Sequence, residues 1–107
     1  MKLTELVQIL RATGYPVAFS HFREPTPLPY ITYFTPTTNN FVADDEVYTS
    51  VQNFDVELYT DTKNPQAEKK IESVLKANGL PFDAYDVWIE DEEMLKRTYE
   101  IGVILDG

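Results

Sequence analysis

The chain has 107 residues but no cysteine, a single histidine and only four glycines. Without cysteine there is no disulfide framework, thiol nucleophile or thiolate metal site. The four glycines are spread out, so they form no glycine-rich phosphate loop. No apolar run approaches the length of a membrane span, and Glu5, Gln8 and Arg11 interrupt the apolar residues near the N-terminus. We therefore expect a soluble protein with no signal peptide, no membrane contact and no cofactor.

Basic residues are also scarce. Nine lysines and arginines stand against eighteen acids, which gives a net charge of −9 and a pI near 4.4. Because binding to a phosphate backbone relies on lysine and arginine displacing counterions, we expect no specific nucleic-acid binding. The excess of acid is typical of a solvated surface. A mimic of DNA, or a surface that must not hold DNA, are the alternatives.

The composition is otherwise globular, with 43% hydrophobic and 13% aromatic residues, and the length suits a single domain over residues 1–107. Two helices are predicted. The first covers about residues 3–13 and has an apolar stripe at helical spacing, formed by Leu3, Leu6, Val7 and Leu10. The second begins at Asn64 and Pro65, a capping side chain followed by proline, and ends at Gly79. Its predicted buried stripe consists of Ala67, Ile71, Val74 and Leu75.

Five strands are predicted, over about residues 17–22, 30–35, 47–60, 84–90 and 96–105. The first two should form a hairpin with a wide, stiff turn, because three prolines in residues 23–29 exclude a central strand there. In the third strand apolar and polar residues alternate, which predicts one buried face and one wet or partner-facing face. The buried set is Phe54, Val56 and Leu58, and the other set is Asp55, Glu57 and Tyr59.

The last strand alternates in the same way. Tyr99, Ile101, Val103 and Leu105 share one face, and Ile104 lies on the other. The whole order, α-β-β-β-α-β-β, predicts an α+β fold. It should be a two-layer sandwich, a mostly antiparallel five-stranded sheet with two helices on one face.

Candidate catalytic and metal-binding residues carry little signal. His21 follows Ser20, and because adjacent strand residues point apart we interpret His21 as a surface or half-buried residue. The acidic clusters at residues 44–46 and 91–93 lack the alternating ligands and the glycine of a calcium loop, and no histidine joins them for zinc. Their position in turns also disfavours paired-carboxylate catalysis. We therefore predict no catalytic residue, no metal site and no enzymatic activity.

Several large side chains fall outside the expected core. Phe41 and Val42 lie within a polar loop, and Trp88 is interpreted as a core or interface residue. Ile104 and the tyrosines Tyr33, Tyr48 and Tyr59 are further candidates for exposure. Such residues mark a protein–protein contact, or else the loop folds back and covers them; the sequence leaves both open.

Residues 29–83 contain an aromatic strand (YITYF), an asparagine-rich loop ending in Ala-Asp (NNFVAD), a VELYTD strand and an Asn-Pro helix start. In this combination the chain resembles small tail-assembly proteins of long-tailed phages and prophages of low-GC Gram-positive bacteria. The likeness is to the tail-terminator, or tail-to-head joining, family.

The resemblance implies a structural role without catalysis. Such proteins assemble as a six-fold ring on the finished tail tube and present a surface to the head connector. The implied partners are further copies of the chain, the tail tube protein and the head connector or stopper protein. The implied location is the tail–head junction of the virion, after assembly in the cytoplasm of a bacterial host.

The predicted contact surface is the loop from Asn39 to Tyr48, reaching a neighbouring subunit or the tube. Its candidate interface residues are Asn39, Asn40, Phe41, Val42, Asp44, Asp45 and Tyr48. Acidic residues are further predicted to line the lumen, so that DNA passes without sticking. The alternatives are another phage neck or head-completion protein and an acidic protein-binding module such as a DNA mimic.

Overall fold

The computed structural model describes residues 1–36 and 51–105. Helix α1 covers Leu3–Arg11 and α2 covers Pro65–Ala77. The strands are β1 (Val17–Phe19), β2 (Tyr30–Phe34), β3 (Val51–Thr60), β4 (Phe82–Ile89) and β5 (Met94–Ile104), and a short 3₁₀ turn, Glu90–Glu92, joins the last two. The predicted α+β fold with the order α-β-β-β-α-β-β is confirmed.

The five strands form one sheet in the order β1-β2-β3-β5-β4. All pairings are antiparallel except that of β1 with β2, which is parallel, with Val17 opposite Ile31 and Phe19 opposite Tyr33. The mostly antiparallel sheet is therefore confirmed, and the predicted hairpin of the first two strands is wrong. Because β1 has only three residues, the proline-containing connector of residues 20–29 is long enough to return the chain to the end of β1 where it started.

Strand register divides the sheet into two faces, which we call the helix face and the open face. Both helices cover the helix face, where Val56 lies opposite Tyr99 and Phe54 opposite Ile101. The alternation predicted for the third and fifth strands is thus confirmed. Tyr33 belongs to this core and does not protrude. The two helices contribute five buried side chains to the same core, namely Leu6, Leu10, Ala67, Ile71 and Leu75.

The ends of α2 follow from local chemistry. The Asn64 side chain accepts a hydrogen bond from the Ala67 amide at 3.0 Å, and Pro65 occupies the first helical position, as predicted. Beyond the helix, Gly79 adopts a left-handed conformation with φ of 67°. Val74, predicted in the buried stripe, is only half buried. Within the described ranges, neither helix is long and apolar enough to cross a bilayer.

Candidate functional site

All seven candidate interface residues lie outside the described residues. They are Asn39, Asn40, Phe41, Val42, Asp44, Asp45 and Tyr48. Their role as a contact surface stays a prediction. The described residues provide two other surfaces suited to protein contacts, one along β4 and one on the open face.

The strand β4 is the last in the sheet and pairs only with β5 within the described part of the chain. The backbone N–H and C=O groups on its outer side therefore face away from the sheet, an arrangement that favours pairing with another chain. Three large side chains of β4 are exposed: Tyr85 by 46%, Val87 by 41% and Trp88 by 49%. We call these three residues and the free side of the strand the β4 edge.

Trp88 is the largest of the three. It lies opposite Leu95 on the helix face, and its indole N–H donates a hydrogen bond to a carboxylate oxygen of Glu90 at 3.0 Å. The interpretation of Trp88 as a core residue is wrong, because an edge strand has a neighbouring strand on one side only. The interpretation as an interface residue remains open, and tryptophan is enriched in the residues that dominate protein contacts.

The charge of Asp86, also on β4, is compensated. Arg97 Nη1 lies 2.9 Å from Asp86 Oδ1, and Lys63 Nζ lies 3.0 Å from Asp86 Oδ2. Burial alone would raise the pKa of Asp86, but the hydrogen bonds from Arg97 and Lys63 hold it below its ordinary value. This part of β4 therefore carries a neutralised acid within a strongly acidic chain.

Arg97 also ties the sheet to α2. Its Nε donates a hydrogen bond to the Tyr99 hydroxyl at 3.1 Å, and that hydroxyl donates to Glu72 Oε2 at 2.8 Å. The Arg97 guanidinium lies 3.6 Å from Glu72 and 3.8 Å from Glu68. Sequence reasoning missed this cluster. The available signal was a basic residue on the same strand face as Tyr99 and Ile101, where an apolar residue is expected.

On the open face, Glu57 is buried, with 6% exposure, although its alternation placed it on the wet side of the strand. It accepts hydrogen bonds from the hydroxyls of Thr32 at 3.1 Å and Tyr59 at 3.3 Å, and Lys96 Nζ lies 3.2 Å away. Burial, followed by the charge of Glu57, raises the pKa of Tyr59 to about 12. The open face is therefore only partly a wet face.

Three acids on the open face stand side by side on neighbouring strands. Asp55 on β3 lies opposite Glu100 on β5, which lies opposite Asp83 on β4. We call them the carboxylate row. Burial first, and then the charges of Glu100 and Glu57, raise the pKa of Asp55. The sequence alone cannot reveal the row, because its members come together only through the register of three strands.

The carboxylate row lines an open groove of about 630 Å³, bordered by Pro36 and Pro81. Near it on the same face, Val51 lies opposite Ile104, and both side chains are half exposed. The prediction that Ile104 points away from the core is confirmed. The open face thus combines an acidic groove with exposed apolar side chains.

Ser20 and His21 are in contact, so the prediction that these two residues point apart within a strand is wrong. The strand ends at Phe19, and Ser20 adopts a left-handed backbone conformation with φ of 68°, so His21 Nδ1 lies 3.2 Å from the Ser20 hydroxyl. Both residues are exposed, as expected for a surface histidine. Among the described residues no carboxylate bonds to the imidazole, so the pair lacks the third group that orients a catalytic base.

Residues 91–93 are exposed, as predicted for a turn, and residues 44–46 lie outside the described ranges. In the described part of the chain no three histidine, aspartate or glutamate side chains are grouped so as to hold a metal ion, and this includes the carboxylate row.

No protein-family model matches the chain, and no curated protein or solved structure shows significant similarity to it. The resemblance to tail-terminator proteins, and the structural role and virion location that it implies, therefore stay predictions.

Proposed function

We propose that this chain is a structural protein of a phage tail–head junction, which caps the tail tube as a ring and docks to the head connector. The sequence resemblance over residues 29–83 supports the proposal. Proteins of that family have a sheet with helices on one face, and the observed sheet likewise has both helices on one face. In this role the chain works by shape and contact, because a cap removes the surface on which another tube ring would stack.

The observation that carries the proposal is the β4 edge. An eight-residue edge strand that has no second pairing strand among the described residues, and that carries three exposed apolar or aromatic side chains, is a liability for a chain that acts alone, since it invites pairing with other chains. In a chain whose assembly is its function, the same edge is a subunit contact. The net charge of −9 opposes self-association in general, and the neutralised Asp86 reduces that opposition here.

Ring formation requires two different surfaces on each subunit. A head-to-tail contact closes into a ring when its rotation closes, and otherwise continues as a filament. The β4 edge supplies one such surface. The predicted loop from Asn39 to Tyr48 is a candidate for contact with the neighbour or the tube, and the acidic excess suits a lumen through which DNA passes.

The proposal is tested by substituting the β4 edge. Trp88→Lys places a charge on the exposed edge and removes an aromatic contact, and it should abolish rings of the chain. Burying the remaining exposed half of a tryptophan, roughly 100 Å², contributes about 2.5 kcal/mol per contact, which corresponds to more than tenfold in affinity. Native mass spectrometry and electron microscopy, with the chain alone and with tail tube protein, provide the measurement.

Leu3→Lys is the matched control, because Leu3 is a comparably exposed apolar residue on α1, away from the β4 edge. It adds the same charge and should leave assembly intact. Rings that form equally well with Trp88→Lys, or that are lost equally with Leu3→Lys, would show that the β4 edge is not the contact. Both chains must be compared on the tube as well, because some rings close only on their partner.

Phe41→Asp tests the predicted loop separately. Unchanged ring formation and tail capping would rule out the loop as a contact surface.

Another neck or head-completion protein, the alternative role, would use the same contacts. A major tail tube gene immediately downstream would favour the terminator. A DNA mimic should remain a monomer or dimer and show two rows of acids; the described residues contain one row of three.

A further inference from the structure

The carboxylate row is an unfavourable arrangement that the fold maintains. Directly opposite residues on antiparallel strands have Cβ atoms roughly 4.5–5.5 Å apart, and like charges at that separation repel. No lysine or arginine in the described part of the chain lies within ion-pair distance of Asp55, Asp83 or Glu100. Lys96, on the same face, is paired with Glu57. The charge of Lys96 also lowers the pKa of Asp55, but it is the smallest of the influences on that group. Among the described residues the row therefore keeps an excess of negative charge that a cation from outside can meet.

The groove beside the row has room for a side chain. Gly102 forms part of its lining and has no side chain of its own. A Cβ at this position would approach Val51 Cγ1 to 3.2 Å, so a side chain here would press against Val51. Asn53, Asp55, Asp83 and Glu100 supply the polar part of the lining.

The rest of the open face differs from a merely solvated surface. Val51 and Ile104 form a half-exposed apolar pair next to Gly102, where a solvated strand face would carry polar residues. A surface that only repels DNA needs no such apolar pair.

Charge selects the occupant of this face. A second copy in a two-fold contact would bring the carboxylate row against itself, and the net charge of −9 opposes a head-to-tail copy on this acidic face as well. Nucleic acid would bring phosphates against the row. The three carboxylates are not grouped to hold a metal ion. A protein surface with a lysine or arginine beside apolar side chains matches both the groove and the Val51–Ile104 pair.

We propose that the open face docks a protein partner whose lysine or arginine enters the groove of the carboxylate row while apolar side chains contact Val51 and Ile104. This deepens the proposed function, on which the partner's place at the tail–head junction rests. The groove adjoins the β4 edge, because Asp83 lies on β4 and Tyr85 follows it on the same face, but the groove lining includes none of the three exposed side chains of that edge.

The test uses ¹⁵N-labelled full chain and the synthetic peptide Lys-Leu-Lys-Leu-Lys, at an ionic strength of about 0.15 M. Amide shift changes should cluster at residues 53–55, 82–83 and 100–102. The peptide Lys-Ser-Lys-Ser-Lys should bind more weakly, because it lacks the apolar contacts. Shift changes that centre on residues 90–93, or no binding of either peptide, would overturn the proposal.

Matched charge variants separate the groove from general attraction. The triple change Asp55→Asn, Asp83→Asn and Glu100→Gln should weaken binding of the first peptide about tenfold or more. A second triple change, Asp91→Asn, Glu92→Gln and Glu93→Gln, alters the net charge equally and should weaken it less than about twofold. Equal losses in the two variants would show that only the overall charge attracts the peptide.

The same experiment recognises the other occupants. Shifts of the groove amides on dilution without peptide would assign the face to a second copy, and shifts on adding calcium chloride would assign it to a cation. Binding that appears only after removal of residues 37–50 would assign it to the chain's own segment. Each of these results would overturn the proposal.

Assembly assays distinguish this proposal from the proposed function. The groove variant should still form rings, and Trp88→Lys should lose rings but still bind the peptide. If Trp88→Lys still formed rings while the peptide bound at the groove, the proposed contact along β4 would be rejected. The proposal of a docking face would then be retained.

Discussion

Replacing Asp55 by asparagine should stabilise the isolated chain. Asp55 faces Glu100 directly across the β3–β5 pair, and Glu57 adds a second negative charge nearby. Two unit charges about 5 Å apart in water repel by about 0.8 kcal/mol, and measured cross-strand pairs contribute about 0.2–1 kcal/mol. We therefore expect a gain of about 1 kcal/mol in the free energy of unfolding, or roughly 4 °C in Tm for a chain of this size.

The pH dependence of this gain has a definite sign. Burial and the neighbouring carboxylates raise the folded-state pKa of Asp55 above its ordinary value of 3.8. The Asp55 carboxyl therefore stays protonated to a higher pH in the folded chain than in the unfolded chain. As the pH rises above 3.8 and Asp55 ionises, the free energy of unfolding falls, because the folded chain disfavours the ionised form. The advantage of asparagine should be complete above the raised pKa and should vanish as the pH falls to about 3.8.

Urea unfolding at neutral and acidic pH measures the effect, and added salt should reduce it by screening. Asp91→Asn is the control, since it removes one negative charge from an exposed turn and should change stability by less than about 0.5 kcal/mol. Combining Asp55→Asn with Glu100→Gln should give less than the sum of the two gains, because both remove the same repulsion. A loss of stability with Asp55→Asn, a gain that persists at low pH, or a gain equal to that of Asp91→Asn would refute the reasoning.

Two further predictions concern the polar clusters on either face. Arg97→Met should cost about 2 kcal/mol in urea unfolding, because it removes the Arg97 contacts of Asp86 and Glu72. Asp86 keeps Lys63, Glu72 keeps the Tyr99 hydroxyl and the cluster is partly exposed, so the cost is below the roughly 3–5 kcal/mol of breaking a fully buried pair. Arg97→Lys should lose less, and a variant as stable as the parent would contradict the role of the cluster. NMR titration of the Tyr59 ring should give a pKa of about 12, and Glu57→Gln should lower it toward 10.0. Because the folded chain keeps this phenol protonated longer than the unfolded chain, stability should fall between pH 10 and about 12, and an ordinary Tyr59 titration would contradict its burial.

Local patterns determined the elements of the fold. Asn64, Pro65 and Gly79 specify where α2 begins and ends, because a cap and a left-handed residue act on the backbone next to them. The alternation in β3 and β5 likewise specifies which side chains enter the core, since successive strand residues point to opposite faces. The element order and the α+β class follow from these signals.

Contacts between distant segments decided the rest. The parallel pairing of β1 depends on where the connector returns the chain, and the exposure of Trp88 depends on β4 being the last strand of the sheet. Alternation placed Glu57 on the polar side of β3 but could not show that Thr32, Tyr59 and Lys96 bury it there.

The candidate sites belong to this second group. The sequence by itself determined the acidic excess and the apolar residues that stand out from it, such as Ile104. Only the tertiary structure decided that Asp55, Glu100 and Asp83 form one row, because Asp83 follows Asp55 by 28 positions in the chain and strand register alone brings them together. Periodicity within a segment is local, whereas register between segments is set by the packing of the whole domain.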